Sequence, residues 1–153
     1  MRFIVFFAGL ALLSASLEGC TRRPHAPASA EVRYVGPTEP GTTNLEARSC
    51  GPGGDVAATQ EAVRMAFETM LYRGIPGSEV NTALITNETE ARQQHAAYWQ
   101  DFYEKGRYRT FLMSTVQVSP PHKTSCVLVR LKINHAALRL DLEQHSVARR
   151  FGY

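Results

Sequence analysis

The sequence has few of the residues that usually reveal an activity. Its 153 residues include only three cysteines and one tryptophan, and its five histidines show no His-x-x-x-His spacing. Metal sites in proteins commonly rely on such spacings or on Cys-x-x-Cys pairs, and neither pattern occurs here. We therefore predict no metal site and no cofactor, and no set of residues stands out as catalytic.

Strong charge and long hydrophobic runs are also lacking. The 17 Lys and Arg residues nearly balance the 14 Asp and Glu residues, and the two signs are interspersed. Nucleic-acid binding usually needs a concentrated basic surface, so nucleic acid is not a predicted partner. A membrane-spanning helix needs about 20 apolar residues, whereas the run at 3–13 has eleven.

The N-terminus has the order of a secretory signal peptide. Arg2 is followed by the apolar run, by the small residues 14–16, and by Leu17-Glu18-Gly19-Cys20. The last four residues resemble the lipobox of bacterial lipoproteins, in which Leu17, Gly19 and Cys20 match. An ordinary signal peptide with a chance cysteine is the alternative interpretation.

The lipoprotein resemblance implies that the Cys20 sulfur carries diacylglycerol, that the chain is cut before Cys20, and that the new amine is acylated, typically with palmitate. Two or more acyl chains are enough for stable anchoring. Thr21 occupies a position where aspartate often retains lipoproteins at the inner membrane. The resemblance therefore favours the outer membrane, with the protein facing the periplasm.

The sequence divides into three parts. Residues 1–19 are the predicted signal peptide, and residues 20–44 are a predicted flexible tether that holds four of the eight prolines. Within the tether, only residues 31–35 could pair as a short strand. Residues 45–153 are long enough for one folded domain.

Hydrophobic periodicity predicts an α+β fold for that domain, a small antiparallel sheet with two to three helices packed on one face. Val127, Val129, Leu131 and Ile133 alternate with polar residues, which is typical of a half-buried strand. The predicted elements are strands at 45–49, 108–118 and 126–134 and helices at 56–73, 88–105 and 135–145.

Two cysteines remain besides Cys20. Cys50 ends the first predicted strand and Cys126 begins the last one, so the two are candidates for a disulfide if those strands are neighbours. The compartment that the signal peptide implies is oxidising. Two free, buried thiols are the alternative.

Aromatic residues are densest between positions 98 and 111. Most of them are expected to form the core between the second helix and the next strand. Tyrosine and arginine are enriched at protein interfaces, so Tyr103, Arg107, Tyr108 and Arg109 are the candidate partner-binding patch.

Taken together, the sequence predicts a lipid-anchored envelope protein whose domain binds or scaffolds another envelope component without catalysis. A small periplasmic hydrolase without a recognisable motif is the alternative, and a purely structural coat lipoprotein is a third possibility.

Replacing Cys20 tests the predicted anchor. Cys20→Ser removes the only sulfur in the lipobox, so we expect an uncleaved precursor that takes up no labelled fatty acid. Metabolic labelling followed by gel electrophoresis measures both properties. A mature, lipid-labelled product from Cys20→Ser would rule out the lipoprotein interpretation.

Overall fold

The computed structural model describes residues 31–37, 39–51, 54–118 and 126–149. The signal peptide, Cys20 and the last four residues lie outside this part of the chain. Within the described residues no helix is both long and apolar enough to cross a membrane.

The fold is α+β, as predicted. Its elements in chain order are β1 (Val32–Gly36), β2 (Thr42–Cys50), α1 (Gly54–Tyr72), α2 (Glu88–Gln94), α3 (Ala96–Trp99), a π-helical segment (Gln100–Glu104), a 3-10 helix (Arg107–Phe111), β3 (Leu112–Gln117), β4 (Cys126–Asn134) and α4 (His135–Gln144).

The four strands form one antiparallel sheet in the order β1-β2-β4-β3. Helix α1 packs across β2 and β4, and α4 contacts β2. On the covered face, Leu45 and Ala47 of β2 are fully buried beside Val129 and Leu131 of β4. The alternation predicted for 126–134 is therefore confirmed, because it reflects one buried and one open face.

The sheet begins earlier in the chain than the sequence predicts. The segment 20–44 is predicted as a tether, but β1 at Val32–Gly36 pairs with β2, and β2 itself begins at Thr42. Val32 is buried against the core. The folded domain therefore includes residues from about 31 onward, not only those from 45. Gly36 and Pro37 are residues typical of a linker. Only Val32 and Tyr34 of this short strand face the core, so its hydrophobic pattern is too weak to outweigh them.

Strand β4 runs directly into α4, and this junction is fixed by β2. Asn134 caps the helix, since its Oδ1 accepts a hydrogen bond from the Ala137 amide at 2.9 Å. The Ala136 amide donates to the Gly41 carbonyl at 3.1 Å. A side chain at Gly41 would meet the Ala136 Cβ at 3.0 Å, and its φ is +77°. Glycine is therefore required where the turn before β2 meets α4.

A buried pair reinforces the same junction. Thr43 Oγ1 and His135 Nδ1 share a hydrogen bond of 3.0 Å, and His135 Nε2 lies 3.2 Å from Glu79 Oε2. Burial lowers the pKa of His135, although Glu79 opposes the shift. The first residue of α4 is thus held by β2 on one side and by the loop after α1 on the other.

The other end of the β2–β4 pair is closed by a disulfide. Cys50 lies directly opposite Cys126 in the register, with 3.9 Å between the Cα atoms, and the two sulfurs are bonded. The predicted disulfide is present, and it joins the two central strands of the sheet. The pair of strands is therefore fixed at both ends.

Two predicted elements differ from the structure. The helix predicted over 88–105 is interrupted at His95, whose φ of −122° and ψ of 39° are not helical, and it continues as a π-helical segment. The strand predicted over 108–118 starts only at Leu112, because residues 107–111 form a 3-10 helix that buries Tyr108 and Phe111. In both cases aromatic packing takes precedence over regular backbone structure.

The disulfide yields a stability prediction. A link closing a loop this long contributes up to about 4.5 kcal/mol in the chain-entropy model. We expect Cys50→Ala and Cys126→Ala each to lower the melting temperature measured by circular dichroism, and the double variant to be no less stable than either single one. Additive losses, or alkylation of both thiols in the folded exported protein, would contradict a bonded pair.

Candidate functional site

The loop between α1 and α2 forms an ordered wall. Gly74 ends α1 with a φ of +77°, and a side chain there would meet the Asn81 carbonyl oxygen at 2.7 Å. Ile75, Val80 and Ile85 are buried. The Ile75 amide donates to the Val80 carbonyl at 2.7 Å. The loop is thus tied together by its own backbone and to the core by its apolar residues.

A second wall begins after α4. Ser146 has a φ of +58°, the left-handed conformation that ends many helices. Its amide donates to the Glu143 carbonyl at 3.1 Å, and the Val147 amide donates to Leu142 at 2.8 Å. This is the Schellman arrangement, with Val147 packed into the core. It turns residues 146–149 back along the helix.

A groove of about 790 Å³ lies between these two walls, with α2 as its floor. The longer polar and charged side chains that line it are Glu90, Gln94, His95, Arg139, Glu143 and Arg149. Arg139 and Glu143 lie 3.8 Å apart within α4. Pockets that bind ligands commonly fall in this size range. We take this groove, defined by residues 82–87, α2, α4 and 146–149, as the candidate functional site.

The helical floor is held by an aromatic cluster, which lies between α1, α4 and the sheet. Trp99 donates its Nε1 hydrogen to the Ala91 carbonyl at 3.0 Å, across the interruption at His95. Phe102 is fully buried and packs edge-on against Phe67 of α1, with 6.1 Å between ring centroids. The π-helical turn brings successive aromatic residues of this segment onto the core side.

The four residues predicted as a partner-binding patch do not form one exposed surface. Tyr108 is only 6% exposed and belongs to the core. Tyr103 is half-buried and stacks on Trp99, with 5.8 Å between centroids. Arg107 is half-buried and pairs with Asp141. Of the four predicted residues, Arg109 alone is exposed, and its guanidinium lies 5.7 Å from the Tyr108 ring.

Asp141 is the centre of a polar cluster that the sequence did not reveal. It accepts a hydrogen bond from the Tyr98 hydroxyl at 2.8 Å and forms an ion pair with Arg107. Burial raises the pKa of Tyr98 well above its ordinary value, and the bond to Asp141 adds to this shift. Tyr98 therefore keeps its proton and acts as a fixed donor. The cluster attaches α4 to α3 and to the 3-10 helix.

Arg92 of α2 attaches this helix to neighbouring aromatic residues. Its guanidinium lies 5.1 Å from the Tyr72 ring centroid and 5.5 Å from that of Tyr103. It also pairs with Glu88 at 2.9 Å. Burial raises the pKa of Tyr72 to about 12.

The open face of the sheet carries a second, smaller recess of about 420 Å³ beside the disulfide. At its centre Glu46 accepts hydrogen bonds from Arg130 at 2.7 Å and from Arg33 at 3.0 Å. These two bonds, Arg130 first, lower the pKa of Glu46. The carboxylate is covered by the arginines, so its charge is already matched by cross-strand partners.

The described part of the chain contains no group of three or more His, Cys, Asp or Glu residues arranged to hold a metal ion. No protein-family model matches the chain, and no curated protein or solved structure matches it at a significant level. The function is therefore argued from the residues themselves.

Proposed function

We propose that this chain is a lipid-anchored protein of the bacterial cell envelope, and that its domain binds another envelope protein in the groove without catalysing a reaction. The observation that carries the binding proposal is the groove between residues 82–87, α2, α4 and 146–149. The lipobox ending at Cys20 supports the anchor.

The shape of the groove supports a protein ligand. Both walls are fixed by backbone hydrogen bonds and by buried residues such as Ile85 and Val147. A ligand that enters it meets little ordering cost in the walls, and preorganisation of this kind favours affinity. The space is open along its length and is large enough for several side chains of a polypeptide segment.

The charges of the groove also favour a polypeptide. Carboxylates of Glu90 and Glu143 lie in the same groove as the guanidinium groups of Arg139 and Arg149. A ligand of one charge sign would meet repulsion from half of these groups, whereas a segment with both signs matches a lining in which Arg139 and Glu143 already pair with each other. We therefore expect a partner segment that carries both acidic and basic residues.

Asp141, which is not among the residues that line the groove, has a structural role. The carboxylate of Asp141 is occupied by Tyr98 and Arg107, and these contacts hold α4 in place. A general base needs a free acceptor within reach of its substrate. In this account Asp141 keeps the groove in shape.

The anchor would keep the groove close to the membrane. Ten residues, 21–30, separate Cys20 from Glu31, the first described residue. Even fully extended they span at most about 36 Å. A partner in the same membrane, or one bound close to its surface, is therefore within reach.

Two matched glutamines test the groove. Gln94 lines it, whereas Gln100 does not; both are exposed, and each donates a hydrogen bond to a glutamate four residues away. We expect a photo-crosslinking residue at position 94 of the full chain to yield a discrete protein adduct in cells, and the same residue at position 100 to yield none. Mass spectrometry identifies the adduct.

Absence of an adduct at position 94, or equal adducts at 94 and 100, would contradict binding in the groove. Turnover of an ester, peptide or glycan substrate by the purified protein, abolished by a single substitution in the groove, would instead favour the hydrolase.

A further inference from the structure

Strand β3 is an edge of the sheet that the helices leave open. It lies last in the order β1-β2-β4-β3, and five of its six residues are exposed. The exposed residues include Thr115 and Gln117, which share the helix-covered side with Leu131 and Val129, and Val116, which lies on the open side. In contrast to β2 and β4, this strand therefore contacts solvent on both faces.

The strand and the residue after it carry no charge from Leu112 to Val118. Met113, Val116 and Val118 are exposed by 52%, 59% and 41%, and they are three of the six large hydrophobic side chains found exposed in the described residues. Free edges in natural proteins are usually protected by charge, proline, bulges or short length. The regular part of β3, from Ser114 onward, has none of the first three protections.

The opposite edge shows what protection looks like in the same sheet. Strand β1 has five residues and includes the charged Arg33, whereas β3 has six residues and no charge. Both strands have an irregularity in their pairing and are followed by proline in the sequence, so charge is the protection that distinguishes them. An uncharged incoming strand would therefore pair more readily with β3 than with β1.

The backbone direction of β3 can be read from its pairing with β4. The Val118 amide donates to the Leu128 carbonyl at 2.8 Å, so the amide and carbonyl of Val118 face β4. In an antiparallel ladder these groups alternate between the two sides of a strand. The groups of Ser114 and Val116 therefore also face β4, whereas those of Thr115 and Gln117 face the free edge.

We propose that β3 pairs antiparallel with β3 of a second copy of this chain, about a twofold axis through Thr115. The two Thr115 residues would exchange backbone hydrogen bonds, and Ser114 of each copy would lie opposite Val116 of the other. No like charges meet in this register, and Thr–Thr cross-strand pairs are favourable.

A second copy suits this edge because the pairing closes on itself. The twofold axis is perpendicular to the sheet. The two four-stranded sheets therefore join into a single eight-stranded sheet, with the helices of both copies on the same side. Among the strands that the structure describes, the edges left are the two β1 strands with their charged Arg33, and growth stops at a dimer. The inference depends neither on the anchor nor on the groove, because no residue of β3 lines the groove.

Cysteine crosslinking in cells that express the full chain tests the pairing. Opposed residues of a hydrogen-bonded pair have Cα atoms about 5.5 Å apart, which is within the range of a disulfide. We expect Thr115→Cys to give a reducible band at twice the mass of the chain under mild oxidation. Val35→Cys is the matched control, since Val35 is also exposed but lies on β1, and it should stay monomeric.

A charge variant provides the second measurement. Thr115→Lys places two ammonium groups against each other at the axis, so the dimer should dissociate. Sedimentation of the full chain in detergent should then give half the protein mass found for the unaltered protein. Val35→Lys is the control and should leave the protein mass unchanged. A monomeric unaltered protein, a Thr115→Cys adduct with a different protein, or equal crosslinking at positions 115 and 35 would overturn the proposal.

Discussion

The structure depends on the pairing of β2 with β4. These two strands match residue for residue from Thr42 opposite Asn134 to Cys50 opposite Cys126. One end is closed by the disulfide and the other by the contacts of Gly41 and Thr43 with the start of α4. Both hairpins of the sheet are completed on this pair, since β1 adds to β2 and β3 adds to β4. A small domain has little core area per residue, so a pair fixed at both ends is valuable.

The candidate site follows from this arrangement. Because α4 begins in the residue after β4, its position is set by the sheet, and its C-terminal turn at Ser146 carries one wall of the groove with it. The other wall is attached to α1, which packs on the same two strands. Asp141 then joins α4 to α3 through Tyr98 and to the 3-10 helix through Arg107. The groove is thus a consequence of how the helices are placed on the central strands.

The sequence predicted the elements that have one dominant physical signal. β4 alternates cleanly because one face is buried, and Cys50 ends β2 where Cys126 begins the neighbouring β4. β1 was placed in the predicted tether, with residues 31–35 as a possible short strand, because it buries only Val32 and Tyr34 on one side and lies among glycine and proline.

The interruption at His95 and the burial of Tyr108 were not predictable from periodicity, because both result from the packing of aromatic rings that are distant in sequence. The Asp141 cluster joins residues up to 43 positions apart, and no local pattern marks such a site.

Native-state hydrogen exchange of the oxidised protein tests the central role of the β2–β4 pair most directly. Amides that bond these two strands to each other should exchange only through global unfolding, and so share the largest opening free energy in the domain. Amides of the loop after α1 and of α2 should exchange through smaller, local openings. If amides of β2 and β4 exchanged faster than those of α1 or α2, the central pair would not be the unit on which the fold depends.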